Sequence, residues 1–300
     1  MGVTAAQVKE LRERTGLGMM DCKKALTETD GDMEKAIDNM RKSSALKAAK
    51  KAGRTAADGL LGLHMAPDNT KAALVEVNIE TDFAARNEKF IAFVDRVAGL
   101  VFEQGSDDVA ALLAGGLDAE RETLVQEIGE NISIRRAAFL AATDGGRIGE
   151  YLHTNKRTAA LVEISGGDES LGKDLAMHVT AMNPLFVTQD DVAPELVAKE
   201  REIATSQAAE SKKPPEIVEK MVEGKVRKYL AEISLVDQAF VKDDKVKIKK
   251  LLDGQSAGVT RFVRFEVGEG IEVEEVDFAS EVAAQLKDSD DKKKGDDEKD

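Results

Sequence analysis

The sequence predicts an α+β protein with small antiparallel sheets, and an internal duplication is the main reason. The run Ala72–Val77, AALVEV, recurs as Ala159–Ile164, AALVEI, so that Ala73 and Ala160 are 87 residues apart. Each run is apolar and partly β-branched, which is typical of a buried strand. Each is preceded by a shorter strand across a polar turn and followed by an amphipathic helix and a third strand. Two subdomains, each a small sheet with a helix, are therefore expected.

The elements of the two copies follow from their patterns. In the first copy they are the strands Gly59–Met65, Ala73–Val77 and Ile132–Ala141 with the helix Glu88–Phe102, and in the second the strands Arg147–His153, Ala159–Ile164 and Val259–Val267 with the helix Ser170–Met182. The copies differ at the corner between central strand and helix. The first has Thr81-Asp82-Phe83 there, and the second has Ser165-Gly166-Gly167-Asp168.

Residues 3–41 read as three short helices. Thr4 and Gln7 form a capping box, Gly16 ends the first helix, and Asp32 caps the third. The loop Gly18-Met19-Met20 resembles the Met-Gly-Phe type loop of ubiquitin-associated domains, and paired methionines make an adaptable contact surface. The alternative is that these methionines belong to the core, which we expect of one of the two.

A basic segment follows, with its charges at Lys42, Lys47, Lys50, Lys51 and Arg54. Such a run could touch RNA or an acidic partner, but a solvated helical connector is the commoner explanation.

The second copy is interrupted by a helical insertion that ends before its third strand. On its first arm Leu196 and Ile203 lie seven residues apart; on its second, apolar residues recur three and four apart from Val222 to Ile233. Pro214-Pro215 forces a turn between the arms, so the insertion predicts an antiparallel coiled-coil hairpin. Further on, Val276–Leu286 has Phe278 on the apolar stripe of a last helix, and the residues after it lack the apolar groups needed to fold.

These patterns predict seven segments. They are a ubiquitin-associated-like helical module at 1–41, a basic linker at 42–58, core subdomain N at 59–143, core subdomain C at 144–193 and 234–275, the coiled-coil hairpin at 194–233, a C-terminal helix at 276–286 and a disordered tail at 287–300.

The amino-acid composition limits the classes of partner that this chain is expected to bind. With 43 basic and 57 acidic residues the net charge is −14, aromatic residues are 4% and Trp is absent, so a nucleic-acid groove with stacking side chains is not expected. A protein or cation partner is favoured instead. The single cysteine, Cys22, excludes an intrachain disulfide and fits a reducing compartment. No apolar run approaches the length that a membrane requires, so we expect a cytoplasmic protein without a membrane partner.

No pattern predicts an enzyme active site, a cofactor or a metal site. Gly167–Asp174 approximates a phosphate-binding loop, but Asp174 replaces the hydroxyl that would bind Mg²⁺, and Asp168 would repel phosphate. The histidines are not at ligand spacing with Cys22. His178, on a helix, is expected to be structural.

The corner Thr81-Asp82-Phe83 is the strongest candidate site. It follows a polar turn that ends a buried strand, and nothing in the local pattern gives the Phe83 ring an inward direction. Outward presentation of Asp82 and Phe83 and ordinary core packing of Phe83 are about equally supported by the residues alone.

Two stretches resemble the signatures of a known family. They are residues 11–26, LRERTGLGMMDCKKAL, and residues 76–87, EVNIETDFAARN. Both are similar to translation elongation factor Ts, and the resemblance extends through residues 264–271, RFEVGEGI, to Leu286. The sequence departs from the family at Ala84, where Val is usual, and in a tail that exceeds the usual end.

The resemblance implies a guanine-nucleotide exchange factor that binds elongation factor Tu and acts on the GDP and Mg²⁺ of that partner. It implies that Thr81, Asp82 and Phe83 insert into the GTPase domain near the Mg²⁺ site. Further partner contacts are implied at Arg12, Met19, Met20, His153 and Phe278. A helical adaptor that binds proteins without changing nucleotide release is the competing hypothesis.

Overall fold

The computed structural model describes residues 2–209 and 213–272. The chain divides into two units, Met1–Glu269 and Gly270–Asp300, and every described helix and strand lies in the first. Helices alternate with antiparallel sheets, which confirms the predicted α+β class. The predicted helix 276–286, with Phe278, and the predicted tail 287–300 lie outside the described residues.

The described elements follow one another in this order. They are α1 (Ala5–Thr15), α2 (Met19–Glu28), α3 (Met33–Lys51), β1 (Asp58–Met65), β2 (Lys71–Ile79), α4 (Asp82–Ala85), α5 (Glu88–Gln104), α6 (Val109–Leu112), a kink (Leu113–Leu117) in which Gly116 has φ 106°, α7 (Asp118–Ile128), β3 (Ile132–Ala141), β4 (Gly146–Leu152), β5 (Thr158–Ser165), α8 (Glu169–Met182), a 3-10 turn (Gln189–Asp191), α9 (Pro194–Ala209), α10 (Pro215–Ile233), a 3-10 turn (Leu235–Asp237), β6 (Ala239–Phe240), β7 (Asp243–Lys247), α11 (Ile248–Gly254) and β8 (Gly258–Glu266).

The first three helices pack around their own small core. The predicted capping box is present, since Thr4 accepts from the N–H of Gln7 and the Gln7 side chain accepts from the N–H of Thr4. Gly16, at φ 72°, ends α1 in the left-handed conformation that glycine tolerates best. The buried residues of this cluster are Val8, Leu11, Leu17, Cys22, Ala25, Leu26, Ala36, Ile37 and Met40.

The helix α3 does not stop near residue 41. It continues to Lys51 and packs on α7, where the Ser44 hydroxyl donates to Gln126 Oε1 at 2.5 Å and Lys51 Nζ donates to the Gly129 carbonyl. Ala48, only 2% exposed, belongs to the same core as the first sheet. Lys42, Lys47 and Lys50 are exposed, as expected of a solvated helical segment, but residues 42–51 continue α3 and pack on the body through Ser44 and Ala48 rather than forming a separate connector. Small side chains among the lysines let this face of α3 approach α7. The run of charges gave no indication of this packing.

Two three-stranded antiparallel sheets form the centre of the molecule, with strand orders β1-β2-β3 and β4-β5-β8. The helix α5 covers the first sheet and α8 the second. Glycines allow this close packing, because a Cβ on Gly62 would lie 2.8 Å from the Val94 carbonyl and one on Gly149 would lie 2.1 Å from the Gly172 backbone. The remaining faces of the sheets share a core of Leu61, Ala72, Leu74, Ala138, Leu140, Ile148, Ala159, Leu161, Phe265 and Val267.

The 87-residue repeat is also present in the hydrogen bonds between the sheets. The N–H of Leu61 in β1 donates to the carbonyl of Lys156 at 2.8 Å, and the N–H of Ile148 in β4 donates to that of Asn69 at 2.8 Å. Leu61 and Ile148 are 87 residues apart, as are Asn69 and Lys156. Both acceptors lie in hairpin turns at positive φ, 58° and 54°. The first strand of each sheet, β1 or β4, is thus bonded to the hairpin turn of the other sheet.

A buried carboxylate in β2 joins the first sheet to the chain beyond the second. Glu76 is fully buried and accepts from Arg136 Nε at 2.5 Å, from Arg135 Nη1 at 3.0 Å and from the N–H of Gly268 at 2.9 Å. Burial alone would raise the pKa of Glu76, but these hydrogen bonds outweigh it and hold the pKa below its usual range. Glu76 is therefore a charged group in the core.

Glu163 in β5, 87 residues after Glu76, has the matching role. It is fully buried, accepts from Arg261 Nε at 2.7 Å, and accepts from the N–H of Thr143 at 2.7 Å. Burial raises its pKa, but the hydrogen bonds from Thr143 and Arg261 outweigh burial and lower it overall. Thr143 follows β3, just as Gly268 follows β8. Each glutamate therefore holds the segment that leaves the third strand of the other sheet.

The helices α9 and α10 pack mainly on each other, through a separate cluster. Its buried members are Ala204 and Ala208 on α9 and Val222 and Val226 on α10. Ile203, which the sequence placed in this seam, is 42% exposed, so that assignment is wrong. Alanine allows the two helix backbones to approach closely, and a search for large apolar residues overlooks it.

Candidate functional site

The corner between β2 and α5 presents a large aromatic side chain to solvent. Phe83 is 81% exposed, whereas Ala85, two residues later, is 4% exposed. The helix α4 has only one turn, Asp82–Ala85, so the buried Ala85 fixes which side of this turn faces the core. Of the two interpretations of Phe83, core packing is therefore wrong, and presentation of the ring to solvent is confirmed.

The neighbouring charges are paired within the corner. Arg86 Nη2 donates to Asp82 Oδ2 at 2.8 Å, and the Arg86 guanidinium lies 5.9 Å from the centre of the Phe83 ring. Asp82 and Arg86 keep 47% and 75% of their side-chain surface exposed. Exposed pairs of this kind are worth at most about 1 kcal/mol, so a partner can replace them with its own contacts at small cost.

Glu130, in the turn between α7 and β3, supports the corner. The N–H of Thr81 donates to Glu130 Oε2 at 3.0 Å, and the Thr81 hydroxyl donates to Glu130 Oε1 at 2.8 Å. The same hydroxyl accepts from the N–H of Ala84 at 3.3 Å and so caps α4. Both carboxylate oxygens of Glu130 are thus bonded to the residue that begins this helix.

A second carboxylate, Glu80 beside the corner, accepts a hydrogen bond from the α7–β3 turn. Glu80 Oε1 accepts from the N–H of Asn131 at 2.6 Å and lies 3.5 Å from Arg54 Nη1. Asn131 Nδ2 donates to the carbonyl of Arg54 at 2.9 Å. The segment after α3, the α7–β3 turn and the corner are therefore joined. Sequence reasoning missed Glu80, Glu130 and Asn131 as supports, because no periodicity indicates that residues about fifty positions apart will meet.

The matching corner of the second copy has a different geometry. Gly166 and Gly167 take φ near +70°, and a Cβ on Gly166 would lie 2.5 Å from the Ser256 carbonyl. Asp168 caps α8, since its Oδ1 accepts from the N–H of Leu171 at 2.8 Å. A carboxylate thus occupies the helix N-terminus that a phosphate would need, which disfavours phosphate binding at Gly167–Asp174.

The residues predicted on the helical module lie at the α1–α2 turn. Met19 and Met20 are 52% and 76% exposed, so the expectation that one of them is core is wrong. Gly18 precedes α2, and the module core at this point is filled by Leu17 and Cys22 instead. Arg12 is exposed and lines a cleft between this turn and the core, whose other wall includes Lys89 near the start of α5.

Of the two remaining predicted residues, the structure describes only His153. His153 is exposed at the β4–β5 turn, where its Nδ1 lies 3.0 Å from Asn155 Oδ1. Phe278 lies outside the described residues. The structure therefore gathers Thr81, Asp82 and Phe83 at one turn, and places Arg12 in the last turn of α1 and Met19 and Met20 in the first turn of α2.

His178 is the buried histidine of the described part of the chain, and its contacts are structural. Its Nδ1 accepts from the N–H of Val241 at 3.1 Å, so Nε2 carries the proton and donates to Gln238 Oε1 at 2.9 Å. Burial lowers the pKa of His178, although the Gln238 hydrogen bond acts in the opposite sense. The predicted structural role is confirmed.

Neither a metal site nor a membrane span occurs among the described residues. Within 2–209 and 213–272, no cluster of three or more histidine, cysteine or carboxylate side chains has the arrangement of a metal site. In the same part of the chain, no helix is both long and apolar enough to cross a membrane.

Comparison with known proteins gives one consistent family. Residues 80–269 match the family model of elongation factor Ts. The elongation factor Ts of Hahella chejuensis is 58% identical over 285 residues, which cover 95% of this chain and 99% of that protein. Those of Saccharophagus degradans and Thioalkalivibrio sulfidiphilus are each 54% identical, over 95% and 96% of this chain and 98% and 99% of theirs.

Proposed function

The chain belongs to the elongation factor Ts family, and on that premise we propose that it is a guanine-nucleotide exchange factor. Its partner is elongation factor Tu with bound GDP. The corner Thr81-Asp82-Phe83 inserts near the Mg²⁺ site of the partner's GTPase domain and promotes release of GDP.

The exposure of Phe83 is the observation that supports this proposal most directly. An aromatic ring that is 81% exposed gains by burial in a partner, and an isolated large apolar group on a supported turn is a typical anchor for a protein interface. The carboxylates of Glu130 and Glu80 hold the turn in place before binding. The ring is therefore presented at little further cost in conformational entropy.

The mechanism is a shift between two states of the partner. GDP is held partly through Mg²⁺ on its phosphates, so a wedge that binds better when the Mg²⁺ site is open favours the state that binds GDP weakly. To weaken GDP a thousandfold takes about 4 kcal/mol of differential binding, while burial of one Phe supplies roughly 2–3 kcal/mol. The corner thus requires additional interface.

Other residues supply that interface in this proposal. Arg12 of α1 and Met19 and Met20 of α2 contact the GTPase domain, as does Phe278 of the predicted last helix, and His153 approaches another domain of the partner. The exposure of both methionines and their adaptable side chains support such a role.

We propose the family architecture for the same segments: a ubiquitin-associated-like module, a duplicated core, a coiled-coil hairpin and a last helix. The duplicated core has the strongest support, from hydrogen bonds that recur at an interval of 87 residues. The borders of these segments stay predictions.

The proposed activity is not enzymatic. It needs no catalytic residue, cofactor or metal of this chain, since the GDP and Mg²⁺ belong to the partner. A cytoplasmic location goes with it, because the partner acts in translation, and neither nucleic acid nor membrane is a required ligand.

Release of a fluorescent GDP from elongation factor Tu tests the proposal. Addition of this protein should accelerate release in the presence of excess unlabelled nucleotide, to an extent that saturates with its concentration. An adaptor would bind the partner and leave the GDP off-rate unchanged, and that outcome would remove the exchange proposal while keeping the interaction.

A further inference from the structure

The turn that carries Phe83 is too short to hold itself. The helix α4 has four residues, and a single turn of helix is unfavourable in water unless tertiary contacts support it. Phe83 itself supplies little support, since its ring is mostly exposed. Ala85 anchors the end of the turn in the core, but the start of the turn must be fixed by a contact from outside it.

Glu130 is the group in position to do so. Its two carboxylate oxygens accept from the N–H and the hydroxyl of Thr81, at 3.0 Å and 2.8 Å. A threonine hydroxyl has a single hydrogen. Because Glu130 accepts that hydrogen, the oxygen lone pairs remain free to accept from the N–H of Ala84. Glu130 thus sets both the backbone at the start of α4 and the orientation of its cap.

The turn that carries Glu130 is itself held by hydrogen bonds of its flanking residues. Gly129, at φ 91°, ends α7, and Lys51 of α3 donates to its carbonyl. Asn131, which follows Glu130, donates its backbone N–H to Glu80 and its side chain to the carbonyl of Arg54. The carboxylate therefore projects from a turn bonded on both sides, which a support for another residue requires.

We propose that Glu130 is a positioning residue for nucleotide exchange, which acts through the Thr81 cap to fix the Asp82-Phe83 corner. This rests on the proposed function, because the consequence for exchange requires the corner to be the wedge. Glu130 does not itself touch the partner in this role. Its contribution is that the corner is already ordered when the partner arrives.

A partner-independent measurement tests the positioning directly. The chain has no Trp, so a Phe83→Trp variant carries one indole at the corner, and its time-resolved anisotropy reports local motion. Addition of Glu130→Ala should increase the amplitude of fast motion of that indole, while Glu122→Ala, which removes a carboxylate from α7 away from the corner, should not. Equal motion with and without Glu130 would overturn the proposal.

Exchange kinetics provide the second arm. Loss of the two hydrogen bonds that orient the Thr81 cap predicts a roughly five- to tenfold fall in GDP release rate for Glu130→Ala at subsaturating protein, with Glu122→Ala unchanged. Glu130→Gln keeps one acceptor oxygen and should fall between the wild type and Glu130→Ala. In the Asp82→Ala/Phe83→Ala background, the further change Glu130→Ala should not slow release, because Glu130 acts through those two residues.

The outcomes separate the two proposals. If the wild type does not accelerate release at all, the proposed function fails, and the indole measurement still decides whether Glu130 orders the corner. If the wild type is active but Glu130→Ala slows release as much in the Asp82→Ala/Phe83→Ala background as in the wild type, Glu130 acts by another route and the positioning role is rejected. Thermal melts confirm that each variant is folded, and Glu130→Gln decides if Glu130→Ala is not.

Discussion

Phe83 and Asp82 should matter for exchange far more than for stability. Phe83→Ala removes a ring that is 81% exposed, so it leaves no core cavity and should cost well under the roughly 3–5 kcal/mol of a buried Phe truncation. GDP release should nevertheless slow by about one to two orders of magnitude, because roughly 2–3 kcal/mol of burial in the partner is lost. Asp82→Ala should also slow release. Thermal melts and fluorescent-GDP release rates measure the two effects.

The control for Phe83→Ala is another exposed apolar residue. Leu46 on α3 is 66% exposed, and Leu46→Ala should leave both melting temperature and release rate near wild type. Asp168→Ala, at the matching corner of the second copy, is a less neutral comparison, because Asp168 caps α8 and its loss should cost about 1 kcal/mol. A Phe83→Ala protein that melts many degrees lower but exchanges normally per folded molecule would disprove the wedge.

His178 should make stability fall in mildly acidic solution. Its folded pKa is lowered by burial, so between that pKa and the unfolded value near 6.5 the unfolded chain binds more protons. The contribution is complete above about pH 6.5 and is lost as pH decreases, by up to about 1.4 kcal/mol per pH unit. Urea unfolding at pH 7.5 and 5.5 should show a smaller difference for His178→Gln than for wild type. Parallel pH dependence in the two proteins would contradict this.

At the scale of elements, α9 and α10 should be separable from the rest. Their buried cluster contains only their own residues, although Ile233 at the end of α10 accepts from the N–H groups of Leu185 and Phe186. Replacement of Pro194–Glu232 by a short Gly/Ser linker keeps Ile233 and should leave a folded core, measured by circular dichroism and thermal melting. Partner affinity or the exchange rate should then be altered without loss of the corner.

The comparison for that deletion is a point variant just beyond it. Leu235 is fully buried in the cluster under α8, so Leu235→Ala should cost about 2–5 kcal/mol. If the deletion destabilises the remaining protein as much as Leu235→Ala does, the hairpin is part of the core rather than an attachment to it.

The elements that sequence predicted well are those with strong local signals. The capping box at Thr4 and the strand Ile132–Ala141 agree with the sequence prediction, because both a cap and the alternation of a strand depend on neighbouring residues. The length of α3 and the Ala204 seam were not. Both depend on small side chains that allow close packing with another helix, and small residues have no hydrophobic pattern of their own.

The candidate site shows the same division. The residues at the corner could be found from its strand-to-helix position, but Glu130 and Glu80 could not, because their role depends on the meeting of two distant turns. The direction of Phe83 was also undetermined by its neighbours. It depends on Ala85, which faces the core at the end of a single turn of helix, and on the Thr81 cap at the start of that turn.

At the scale of the whole molecule, the two sheets should unfold together. The strands β1 and β4 are each bonded to the hairpin turn of the other sheet, and the sheets share one apolar core. Glu163 adds a charged link, since it binds Arg261 within its own sheet and the N–H of Thr143 after β3. A change at Glu163 should therefore be felt in the first sheet as well as in the second.

Amide hydrogen exchange of Glu163→Gln tests that cooperativity. Loss of the charge weakens hydrogen bonds worth about 2–3 kcal/mol, and protection should fall by a similar free energy in β2 and β3 as in β5 and β8. The control is Val222→Ala in the α9–α10 cluster, which should reduce protection in those two helices and leave both sheets unchanged. If Glu163→Gln instead lowers protection only in β4, β5 and β8, each sheet is its own folding unit. The reciprocal bonds would then join two independently stable halves.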